Sequence, residues 1–234
     1  MQDTRYLERR GQIETYFDRT AAQAWERLTS NAPVGRIRAT VRAGRDQMRE
    51  TLLSWLPARM DGLRLLDAGC GTGALAQVAA ERGAQVVAID LSPTLVGLAR
   101  ERHAPSAHHL AGSIDFRSGD MLDPALGEFD HVVAMDSLIH YDTPHIVDAL
   151  SQLARRTRGS MLFTFAPRTP LLAVMHRVGR LFPRSDRSPS LEPQAEPVLR
   201  QGLVTALGPH GFSEGRTLRV ASGFYTSQAW EWRR

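Results

Sequence analysis

The chain of 234 residues is 42% hydrophobic and 23% charged, the balance of a globular domain large enough to bury a sizeable core. Its 29 basic side chains are all arginine and leave a net charge of +4, which excludes Schiff-base and lysine-base chemistry. A single cysteine excludes an internal disulfide, and there is no apolar run long enough to cross a membrane. The first residues also lack the apolar segment of a signal peptide, so a reducing cytoplasm is the expected setting. Basic chains favour anionic partners, but aromatic and basic residues are not interleaved as in RNA-binding modules, so nucleic acid is not expected.

Residues 1–60 read as a helical arm that precedes the first core strand. Ile13, Phe17, Ala21, Ala24, Trp25 and Leu28 recur at helical spacing, as do Ile37, Val41, Met48, Leu52 and Leu56. Asn31-Ala32-Pro33 breaks the two helices apart. The second helix carries Arg36, Arg38, Arg42, Arg45 and Arg49, most of which are expected to form a solvated face.

From residue 61 strands and helices alternate, with strands near 63–68, 85–90, 114–118, 129–135 and 159–166. That alternation predicts a parallel sheet with helices on both faces. The end differs, because Gly211-Phe212 opens one strand and Gly223 separates it from another through Trp230. Strands joined so tightly must be antiparallel. Between the fifth strand and the next helix, residues 168–193 interrupt the pattern with an amphipathic stretch. Its apolar face is Leu171, Leu172, Val174, Met175, Val178, Leu181 and Phe182, opposite His176, Arg177 and Arg180. An insertion at that edge of an open α/β sheet lies where substrates bind.

The first strand runs through Leu65-Leu66-Asp67-Ala68 into Gly69-Cys70-Gly71-Thr72-Gly73, and the second ends on Asp90-Leu91. A glycine turn after a strand also occurs in dinucleotide sites, where a pyrophosphate rests on the following helix N-terminus. Asp67, entering the turn, would repel a pyrophosphate. It suits the ammonium of S-adenosylmethionine, which has no phosphate. Asp90 would accept hydrogen bonds from the two ribose hydroxyls. Asp120-Met121 would bind the adenine amino group and flank its ring, and the fourth strand leads into Asp136 at the same edge. Cys70 is read as a small residue fitting the turn. His103, His108 and His109 read as loop residues with no metal-ligand spacing, and no metal site is expected.

These elements together resemble the class I S-adenosylmethionine-dependent methyltransferases. The resemblance implies a Rossmann-like α/β fold: a seven-stranded, mostly parallel sheet with one antiparallel strand and helices on both faces. The N-terminal arm (1–60) and the amphipathic insertion (168–193) would act as lids on the methyltransferase domain (61–234). Tyr16-Phe17-Asp18-Arg19-Thr20, Ile139-His140-Tyr141-Asp142 and the run Val178-Gly179-Arg180-Leu181-Phe182-Pro183 are more specific. They resemble the magnesium protoporphyrin IX O-methyltransferases of chlorophyll and bacteriochlorophyll synthesis.

That resemblance implies methyl esterification of one ring propionate, with S-adenosylhomocysteine as the other product and magnesium entering only within the substrate. It implies His140 and Tyr16 as catalytic. Arginine is the natural fork for a carboxylate, so Arg168, Arg177 and Arg180 are candidate propionate ligands, with Tyr141 expected beside the substrate. The resemblance also suggests the large porphyrin-binding subunit of magnesium chelatase as donor. The insertion's apolar face with flanking arginines fits peripheral contact with the inner or photosynthetic membrane, and fits a substrate lid equally. A propionate of pKa ~4.5 is ionised at neutral pH and needs no general base. Two rival readings remain at this point: a phenol or catechol O-methyltransferase of quinone synthesis, in which His140 would be the base, and a magnesium-porphyrin carrier.

Overall fold

A computed structural model describes residues 4–20, 35–168 and 191–234. Helix α1 (Thr4–Thr15) runs into one wider π-helical turn (Tyr16–Thr20). Then come α2 (Arg36–Trp55), β1 (Arg64–Ala68), α3 (Ala74–Glu81), β2 (Gln85–Asp90), α4 (Pro93–His103) and β3 (Ser113–Ser118). The second half holds β4 (Phe129–Ala134), α5 (Thr143–Ala154), β5 (Thr157–Phe165), α6 (Glu196–Leu207), β6 (Ser213–Ser222) and β7 (Tyr225–Arg233).

The seven strands form one sheet in the order β3-β2-β1-β4-β5-β7-β6. β1 to β5 pair in parallel, and β7 lies antiparallel between β5 and β6. The strand order reverses direction beside β1, so β1 and β4 are neighbours at the centre, where open α/β sheets have their crevice. Successive residues of the central strands alternate between two cores. Leu65, Val86, Ala88 and Val133 face α2, α3 and α4, whereas Leu66, Val87, Ile89 and Val132 face α5 and α6.

Helix starts at the carboxyl edge are fixed by local chemistry. Ser92 Oγ accepts the Leu95 amide at 3.2 Å, with Pro93 opening α4. Asp142 likewise accepts the His145 amide at 3.2 Å ahead of Pro144 and α5. α2 forms part of the sheet's covering layer: Met48 and Leu52 are wholly buried against β1, β2 and α3. Ile37, expected on its apolar stripe, is 57% exposed. Ala21, Ala24, Trp25, Leu28 and the break at 31–33 lie outside the described residues, as does the insertion from 169 to 190. No helix among the described residues is long and apolar enough to cross a membrane.

Candidate active site

A cavity of about 320 Å³ opens at the carboxyl ends of β1, β2 and β4. The glycine turn forms its floor. Gly69 and Cys70 donate their amides to Ile89 O at 2.8 and 3.0 Å, which locks β1 to β2 where the turn begins. Gly69 has φ +84°, and a Cβ there would stand 2.4 Å from Ser137 Cβ, so only glycine fits between the turn and the loop after β4. Gly73, also left-handed, precedes α3 behind the cavity and packs under Phe116 and His103.

The two acids of the cofactor motif differ in their partners. Asp90 Oδ2 accepts the Gly71 amide at 2.8 Å and Oδ1 the Ser92 amide at 3.0 Å, so the carboxylate is aimed by backbone and keeps lone pairs for further donors. Burial raises its pKa, against the backbone amides that lower it. Asp67 is 2% exposed, and its Oδ2 has no protein donor. Burial, with the Asp90 charge second, pushes its carboxyl up to about 7. An orphaned buried carboxylate costs free energy unless a cation meets it, and an ammonium would. These residues therefore fit S-adenosylmethionine. Leu91, Met121 and Cys70 also line the cavity. Burial raises the Cys70 thiol well above its ordinary range, which leaves it inert.

Asp120 and Asp136 line the cavity, but their carboxylates are engaged by the protein. Asp120 Oδ2 pairs with Arg10 at 2.8 Å, and its Oδ1 accepts from Tyr6 Oη at 3.3 Å and the Leu122 amide at 2.9 Å. Its carboxylate thus docks the arm. Asp136 adopts the left-handed region at φ 55°, unusual for a residue with a side chain. Tyr225 donates to it at 3.1 Å and Thr164 at 3.2 Å, and Arg45 pairs with it at 3.3 Å. Those partners come from β7, β5 and α2, so Asp136 knots three elements together. The following Ser137 has a buried hydroxyl without a protein partner.

His140 is 4% exposed and lines the cavity, with its ring 5.8 Å from that of Phe17. Tyr16 is not a lining residue; it packs edge-on against Phe17 at 5.3 Å. Tyr141 lines the cavity, stacked on Tyr6 at 5.4 Å. Burial raises the Tyr6, Tyr141 and Tyr225 phenols above their usual range, so each remains a proton donor at neutral pH. Arg168 is exposed and off the lining, while Arg177 and Arg180 lie outside the described residues.

The expected solvated arginine face is corrected by the structure. Arg42, Arg45 and Arg49 line the cavity, because α2 lays this side of its middle turns along the carboxyl edge of the sheet. Arg38 is exposed as expected. The α2 spacing carried a signal: Arg45 fills the gap in the stripe Val41, Met48, Leu52, Leu56. His103 is not a loop residue either. It ends α4 half-buried, stacked on Phe116 at 5.6 Å, with Nε2 3.0 Å from Thr72 O. Tyr6 and Arg10, unremarked in the sequence, are what seat the arm.

Comparison with known proteins agrees with this geometry. The family described as magnesium-protoporphyrin IX methyltransferase C-terminus matches residues 134–234, and a general methyltransferase domain matches 65–159. The chain is similar to the magnesium protoporphyrin IX methyltransferase of Synechocystis PCC 6803 with bound S-adenosylhomocysteine. The TM-score is 0.82 at 30% identity, covering 96% of this chain and 99% of that one. The curated Synechocystis magnesium-protoporphyrin O-methyltransferase is 31% identical over 94% of both chains. The enzyme of that name from Rhodobacter capsulatus is 48% identical over 97% of this chain and 98% of its own length. A likeness of that depth, spread over cofactor turn, loop and C-terminal strands alike, makes the chain a member of the magnesium-protoporphyrin O-methyltransferase family.

Proposed function

We propose that this protein methylates a propionate carboxylate of magnesium protoporphyrin IX, yielding the monomethyl ester and S-adenosylhomocysteine in chlorophyll or bacteriochlorophyll synthesis. The observation that carries the reading is one cavity with two kinds of wall. Asp67 and Asp90 stand on the sheet side and Arg42, Arg45 and Arg49 on the α2 side. Asp67 takes the cofactor's ammonium and Asp90 its ribose hydroxyls, with Gly69, Gly71, Cys70, Leu91 and Met121 shaping the seat. When bound, the cofactor supplies a sulfonium methyl that the carboxylate takes in line, the C–O bond forming as the C–S electron pair stays on sulfur.

Opposite charges annihilate in that step, so alignment and exclusion of water supply most of the rate. No proton has to move. The arginine wall makes that side of the cavity cationic, with Arg45 held by Asp136 and Arg49 by Asp46, and suits the carboxylates of cofactor and substrate. His140 holds the propionate or approaches the porphyrin magnesium, and Tyr16 acts through Phe17, which packs near His140. The arm excludes water, with Asp18 clipped to the N-terminus of α4 through Ser92 Oγ at 3.2 Å and the Thr94 amide at 3.1 Å. On the same reading, the large porphyrin-binding subunit of magnesium chelatase delivers the substrate. The protein then works in the cytoplasm, in peripheral contact with the inner or photosynthetic membrane through residues 168–193, with Arg168, Arg177 and Arg180 near the porphyrin.

Incubation of the purified protein with S-adenosylmethionine and magnesium protoporphyrin IX tests the proposal, with mass detection of the monomethyl ester. Ester formation supports acceptor and reaction together. Tight cofactor binding without ester refutes the acceptor and points to phenols.

A further inference from the structure

Consecutive peptide carbonyls of the loop after β4 are each held by a group from outside the sheet's core strands. Ile139 O accepts from the Glu192 amide at 2.9 Å. His140 O accepts from Arg9 Nε at 2.8 Å, across 131 positions of sequence. Tyr141 O accepts from Gln194 Nε2 at 2.9 Å. A second arm of the Arg9 guanidinium, Nη2, reaches Glu192 Oε1 at 3.1 Å.

These holds differ in kind. Gln194 is 3% exposed, its backbone exchanges hydrogen bonds with Ala166 and Arg168, and Thr143 donates to its side chain at 2.6 Å. It belongs to the body of the protein. Arg9 rides on α1, whose other anchors are Tyr6 and Arg10 on Asp120. It does not line the cavity. The backbone that presents the His140 ring is thus hung, at its own carbonyl, from the N-terminal helix.

We propose that Arg9 is a positioning residue for the methyl transfer. Bridging His140 O and Glu192, it makes the orientation of the His140 ring depend on the seating of α1 and of the segment that leaves the insertion. The proposal rests on the methyl-transfer reading above. A guanidinium suits the task because its Nε and Nη donors diverge in a rigid plane, so one side chain can hold a carbonyl and a carboxylate at once. Arg9 acts on rate and not on cofactor affinity, since Asp67, Gly71 and Asp90 sit on strands and turns it does not touch. A merely structural ion pair, partly exposed as this one is, would add little to stability and nothing to rate.

The test uses the full chain with ¹⁵N-labelled histidine, as wild type, Arg9→Gln, Arg9→Lys, Glu192→Gln and the double Arg9→Gln/Glu192→Gln. His140→Ala identifies the His140 resonances. Arg9→Gln should lower kcat for ester formation by about tenfold to a hundredfold, as small misplacements of a reacting site do. The dissociation constant for S-adenosylmethionine should stay within about twofold, and the His140 resonances of the cofactor-free protein should move. Arg9→Lys should restore part of kcat. Glu192→Gln keeps the Ile139 contact through its backbone, so its loss should be smaller and non-additive with Arg9→Gln.

Unmoved His140 resonances in Arg9→Gln overturn the proposal, and so does an unchanged kcat. If the wild type makes no ester, the methyl-transfer reading fails, while the His140 resonances still decide whether Arg9 positions the loop.

Discussion

Cofactor affinity should fall as the pH drops below neutrality, and Asp67 is the reason. Its carboxyl is pushed up to about 7 in the cofactor-free protein by burial and by the Asp90 charge. An ammonium in contact favours the ionised form and returns the group towards its ordinary pKa of ~3.9. Binding below pH 7 therefore expels a proton from Asp67, and the affinity drops by about tenfold per pH unit. Between pH 7.5 and pH 6 the dissociation constant should rise about eightfold, or roughly 1.2 kcal/mol.

Titration calorimetry with S-adenosylmethionine at both pH values, in two buffers of different ionisation enthalpy, reads the affinity and the protons released. Asp67→Asn should bind more weakly with the slope gone. Flat affinity in the wild type, or a slope that survives in Asp67→Asn, refutes the reasoning. The sign reverses for the cofactor-free fold. A carboxyl raised on folding adds stability at low pH that is lost as the pH climbs from about 4 through about 7. The rise in thermal midpoint on adding cofactor should therefore be larger at pH 7.5 than at pH 6.

Asp90→Ala should weaken cofactor binding by about 1–3 kcal/mol in calorimetry, and normal affinity would mean the ribose lies elsewhere. His140→Ala should lower ester turnover about tenfold or more with cofactor affinity intact; unchanged turnover reduces it to packing. Gly69→Ala forces a methyl to 2.4 Å from Ser137 at φ +84°, so its thermal midpoint should fall. An unchanged midpoint contradicts the close approach. Arg45→Gln removes the cation beside Asp136 and should cost about 1–3 kcal/mol in urea denaturation, partly recovered by adding Asp136→Asn. A double variant no more stable than Arg45→Gln alone would sink the charge argument.

The sheet was legible because both of its periodicities are local. Leu65-Leu66 and Val86-Val87-Ala88-Ile89 are apolar on both faces, as strands covered on both sides must be. Gly69 and Asp90 were legible because the turn geometry that needs them is set within one βαβ unit. The arginine wall was not, since the spacing of Arg42, Arg45 and Arg49 fits a solvated face equally well. What brings Arg45 inward is Asp136, 91 positions on in the sequence, and no local pattern encodes that meeting. Acids at strand ends mark Asp120 and Asp136 as candidate ligands, and both line the cavity; what no local pattern encodes is that distant partners also meet their carboxylates: Tyr6 and Arg10 from the arm, and Tyr225 from β7.

The placement of β7 has a consequence for biosynthesis. A ribosome delivers the glycine turn, Asp90 and the His140 loop well before Tyr225 and Ser227, yet both of those residues approach Asp136 at the cavity wall. β5 likewise lacks its outer neighbour until residues 228–233 emerge to pair with it. A nascent chain can therefore assemble β1 to β4 while the wall behind Ser137 is still open. β7 threads between β5 and β6 and carries Tyr225 and Ser227 to Asp136, so loss of residues 225–234 should leave the cofactor motif whole while Asp136 loses two of its partners and β5 its outer neighbour.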